Sequence, residues 1–93
     1  MSEEDVRALA HEMYTNLKAT AERPLPATAN RWLGEAQAAA GDATGEDVPL
    51  SVIKKRAGQV EELLAHVEET GDDVAEGHIE AAKEAAVKLQ RSR

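Results

Sequence analysis

At 93 residues the chain has room for a single helical domain spanning 1–93 and excludes a second. It contains no Cys, which removes disulfides, thiolate zinc sites and cysteine nucleophiles, and its formal charge of −7 opposes general affinity for nucleic acid or anionic membranes. Much of its 42% hydrophobic content is Ala, with one Trp, one Tyr and no Phe, so a thin core between closely packed helices is expected.

Ser2 and Asp5 have the spacing of a loose capping box, and Val6, Leu9, Ala10, Met13 and Leu17 fall within about 100° of arc, which predicts a helix over 3–22. Pro24 and Pro26 end it. A second helix over 26–40 places Ala29, Trp32, Leu33, Ala36 and Ala40 on one side, with Pro26 in its first turn and Gly41 as its C-terminal cap. Trp32 is expected to anchor this helix in the core, where truncation to Ala costs about 3 to 5 kcal/mol. From Gly41 to Val48, two glycines and three acids without apolar periodicity read as an exposed loop, the longest and most mobile connection.

The third helix is predicted over 49–70, with Leu50, Ile53, Ala57, Val60, Leu64 and Val67 as its stripe and Leu63 beside it. A fourth begins at Asp72 or Asp73 and runs to about residue 90, with Ala75, Ile79, Ala82, Ala86 and Leu89 on one face. The joint around Gly71 is short, so the last two helices are expected to form an antiparallel hairpin. The fold class is therefore all-α, a four-helix bundle or a three-helix core with the short second helix laid across it.

Chemistry-bearing motifs are few. There is no Gly-x-Ser-x-Gly elbow, no phosphate-cradling glycine loop, no Asp-Ser-Leu attachment site of the kind acyl carrier proteins present, and no His-x-x-Lys pattern of a phosphotransfer bundle. The expectation is a protein that is not an enzyme and takes no cofactor. His11 and His66 point at water and His78 borders an apolar face. Glu62, His66 and Glu69 recur at i, i+4 and i+7 and form the weak metal candidate, since an exposed trio needs ligands from elsewhere to complete a zinc site.

Charge order along the last two helices is more informative. The third begins with Lys54, Lys55 and Arg56 and ends with Glu68 and Glu69, against its own dipole, whereas the fourth runs from Asp72, Asp73 and Glu76 to Lys83, Lys88, Arg91 and Arg93. An antiparallel hairpin then gathers Lys54, Lys55, Arg56, Lys88, Arg91 and Arg93 at one pole, beside a helix N-terminus that favours anions. Gly34, Gly58 and Gly77 sit on the outer sides of their helices, where close approach of another helix is one use for them.

The acidic, Ala-rich, Cys-free and aromatic-poor composition resembles that of small acidic haloarchaeal proteins of unknown function. That resemblance covers general character and carries no functional residues. The expected function is a small helical interaction module that binds a macromolecular partner as a homodimer, with anion or nucleic-acid binding at the basic pole as the alternative. A thin core in a small domain motivates the dimer. No apolar run is long enough to span a bilayer and the first residues are acidic, so the cytoplasm is the expected compartment, with no membrane partner.

Overall fold

The computed structural model describes residues 1–92, so Arg93, counted with the basic pole, lies outside the described residues. Helix α1 (Glu3–Thr20) begins at a reciprocal capping box: the Asp5 amide donates to Ser2 Oγ at 3.1 Å and the Ser2 amide donates to Asp5 Oδ2 at 3.4 Å. Its first turn holds Glu3, Glu4 and Asp5 and its last holds Lys18, an order that suits the helix dipole. Helices α2 (Ala27–Gly41) and α3 (Leu50–Leu64) instead follow Pro26 and Pro49, which supply no side-chain acceptor. Helix α4 (Asp73–Arg91) is capped by Asp72, whose carboxylate accepts from the Ala75 amide at 2.9 Å.

Side-chain contacts between helices fix the topology. Tyr14 packs over Gly41 between α1 and α2, and Trp32 stacks on His66 between α2 and the end of α3. Gln90 donates to Glu61 between α3 and α4, while Asn16 meets His78 and Arg23 meets Asp72 between α1 and α4. Each neighbouring pair is therefore antiparallel, and α4 closes against α1 to complete an up-down-up-down four-helix bundle. This is the all-α class and C-terminal hairpin expected from the sequence.

Met13, Leu17, Ile53, Val60, Leu64 and Leu89 are fully buried, and Ala10, Ala36, Ala40, Ala57, Ala82 and Ala86 fill the spaces between them. Burying each large side chain contributes about 1.5 to 3 kcal/mol, while the alanines let the helix backbones approach.

Three local expectations are corrected. Trp32 is not a core anchor: Ala29, Leu33, Ala36 and Ala40 make the buried stripe of α2, and Trp32, one residue before Leu33, is left half-buried at its edge. Helix α3 stops at Leu64, not at residue 70. Continuing it would place Glu68 and Glu69 in its last turn, where the dipole disfavours anions, and the chain instead turns through Ala65 and His66. Beyond the turn Thr70 is buried, its hydroxyl accepts from the Asp72 amide at 3.2 Å, and Gly71 takes the left-handed conformation at φ 75°. The connection at 42–49 does not exceed that at 65–72 in length, and although Asp42, Gly45, Glu46 and Asp47 are exposed as expected, Ala43 is buried at 1% exposure and Arg7 Nη1 donates to the Gly45 carbonyl at 3.2 Å.

Candidate functional site

Lys54, Lys55 and Arg56 are offset along the bundle axis from the last turn of α4, which carries Lys88 and Arg91. Gln90, in the last turn of α4, lies against Gly58 and donates to Glu61 Oε1 at 3.0 Å, so α4 ends beside the middle of α3 and not beside its start. Lys54 and Lys55 are left further along α3, half-buried and exposed respectively. Arg56 turns the other way, toward α2: its Nη1 donates to Gln59 Oε1 at 2.7 Å and its Nε stands 3.9 Å from Asp42 Oδ2.

Acids from the rest of the bundle share that end. Because α1 runs antiparallel to α4, Glu3, Glu4 and Asp5 stand at the same pole, and the connection between α2 and α3 brings Asp42, Glu46 and Asp47. Lys88 borders the same hollow as Asp5 and Glu12. The pole is mixed in charge, because α1 and the 42–49 connection contribute to it as well as α3 and α4.

The weak metal trio separates as well. Glu62 is on α3, whereas His66 and Glu69 lie past its end at Leu64, so the three no longer share a helical face. Among the described residues no group of three or more His, Asp or Glu is placed to hold a metal ion. His66 has a different contact, its ring 4.3 Å from that of Trp32 and 17° from parallel, with the Arg31 guanidinium 5.2 Å from the indole. His78 Nδ1 lies 2.8 Å from Asn16 Oδ1, and because an amide oxygen only accepts, a neutral His78 carries its proton on Nδ1.

At the same end Asp72 is held between an amide and a guanidinium. Its carboxyl is pulled below the ordinary value of 3.8, first by the hydrogen bond from the Ala75 amide and then by that from Arg23, whose Nη2 lies 2.9 Å away. This contact ties the start of α4 to the residues just past α1.

A groove of about 510 Å³ runs along the outer seam of α3 and α4. Ala65 and Val87 line it with Glu61, Glu80, Glu84, Lys83, Lys88 and Arg91. Lys88 and Arg91, expected to serve the pole, in fact border this groove. Val87 and the acids Glu80 and Glu84 were missed because they lie off the apolar stripe of α4. Two signals were available: a large apolar residue on the polar side of the helix, and the order Glu80, Glu84, Lys88, Arg91 at helical spacing.

The architecture places the chain among small all-α domains built as antiparallel four-helix bundles. By sequence it belongs to the family described as domain of unknown function DUF8152, whose model matches residues 9–93. No curated protein and no solved structure matches the chain.

Proposed function

We propose that this protein is a non-catalytic helical interaction module of the cytoplasm, which binds a macromolecular partner through the groove between α3 and α4. The observation that carries this reading is the groove itself, about 510 Å³, with Val87 and Ala65 between charged side chains whose aliphatic stems extend the apolar area. No described helix is long and apolar enough to cross a membrane, and the chain has no Cys, both in keeping with such a role. Protein binding is preferred to anion or nucleic-acid binding because Lys54, Lys55 and Arg56 share their end of the bundle with Glu3, Glu4, Asp5, Asp42, Glu46 and Asp47. Self-association is the simplest form of the activity.

The reading is tested by placing a photo-crosslinking amino acid at position 87, and separately at position 34 on the outer side of α2, in the cells that make the protein. A discrete covalent adduct from position 87 and none from position 34 is expected. No adduct from position 87, or the same adducts from both positions, overturns it.

A further inference from the structure

The outer face of α4 is its own electrostatic complement. Glu80, Glu84, Lys88 and Arg91 are exposed, with acids toward the N-terminal half and bases toward the C-terminal end. Each like-charged pair spans about one helical turn. A parallel copy of α4 laid on this face sets acid on acid and base on base. An antiparallel copy sets acid on base at both ends.

We infer that the partner in the α3/α4 groove is a second copy of this chain, docked antiparallel through α4 about a two-fold axis near residues 85 and 86. In that register Glu80 of one copy faces Arg91 of the other and Glu84 faces Lys88, and the symmetry repeats both pairs. Val87 lies within one turn of the axis, so its two copies close the middle of the seam, with Ala65 of α3 beside them. The charges set direction and register, as such pairs do between helices, while the apolar centre is removed from water.

A chain of net charge −7 repels its own copy over most of its surface. The outer stripe of α4 escapes this, because Glu80 and Glu84 are balanced there by Lys83, Lys88 and Arg91. Raising the salt concentration screens the overall repulsion and the local attraction together, so exchanging charges is the sharper test than changing the medium.

The inference rests on the interaction-module reading, and the two fail separately: a crosslink from position 87 to a different protein keeps that reading and removes this one. The test is sedimentation equilibrium of purified full-length protein, with far-UV circular dichroism confirming that each variant is folded. Wild type is expected at twice the 10.0 kDa chain mass at high concentration. The Glu80→Lys/Glu84→Lys variant and the Lys88→Glu/Arg91→Glu variant should each dimerise at least about tenfold more weakly, because like charges then face each other. Mixing these two variants in equal amounts restores complementarity and should restore the dimer, as should all four substitutions in one chain. A wild type that remains monomeric at millimolar concentration overturns the inference, as does a dimer that survives either double substitution, or a mixture that fails to associate.

Discussion

Helices α1 and α4 begin on side-chain caps, Ser2 and Asp72, with acids in their first turns and bases in their last. Helices α2 and α3 begin behind Pro26 and Pro49, with no side-chain cap, no acid in the first turn and no base in the last. The first pair has local chemistry that favours helix before any packing occurs. The second pair lacks it, and α2 and α3 are short enough to be marginal alone in water, so their stability depends on tertiary burial. Within one bundle, therefore, one antiparallel pair is specified by its ends and the other by its faces.

The largest expected effect separates core from periphery. Leu17 is fully buried on α1, and Leu17→Ala should lower stability by about 2 to 5 kcal/mol through lost burial and the cavity left behind. Trp32 is larger but half-buried, with much of its contact made to the His66 ring, so Trp32→Ala should cost about 1 to 2 kcal/mol. Urea unfolding of both variants checks the order. A larger loss for Trp32 would show that α2 is anchored by its aromatic edge and not by Leu33 and its alanines.

The same contrast explains what could be read in advance. The extent of α1 and α4 was legible because apolar period, caps and charge order agreed: Val6, Ala10, Met13 and Leu17 are buried as predicted, as are Ala75, Ile79, Ala82, Ala86 and Leu89. In α3 the period continued to Val67, but Glu68 and Glu69 opposed a helix end there and the chain turned after Leu64. In α2 hydrophobic size pointed to Trp32, whereas burial followed the alanines, because helix-to-helix distance in this bundle is set by small residues. The charge balance of the pole was hidden for a related reason. Charge order within two helices was readable, but where α4 ends along α3, and which acids α1 and the 42–49 connection bring, depend on packing that no local pattern encodes.

A smaller effect, confined to acid, probes the capped pair. The Asp72 carboxyl has a lowered pKa in the folded protein, so the folded state favours its ionised form. Its contribution to stability is present above the ordinary value of 3.8 and is lost as pH falls through the lower folded value. Wild type should therefore lose stability on acidification below about pH 4, and Asp72→Asn should be less stable at neutral pH but flatter over the acid range. Urea midpoints measured from about pH 5 down to about pH 2 test this. Parallel curves for the two proteins would mean that the Ala75 and Arg23 contacts do not hold the start of α4 in solution.

The smallest effect sharpens the comparison most, because it uses the same position in two helices. Ser51 and Val74 are each the second residue of their helix, in α3 and α4, and both are exposed. Ser51→Glu puts an anion at an uncapped helix start and four residues before Lys55, the favourable order for an i, i+4 pair. Repulsion from Asp47 and Glu46 offsets part of the gain, leaving an expected stabilisation of about 0.5 kcal/mol. Val74→Glu adds an anion where Asp72 already caps the helix and Asp73 and Glu76 already fill the first turn, so no gain is expected. Thermal and urea unfolding in low salt should separate the two variants. Equal gains would mean that the cap on α4 leaves as much of its N-terminal dipole uncompensated as proline leaves on α3, and that the two pairs of helices do not differ in how their ends are specified.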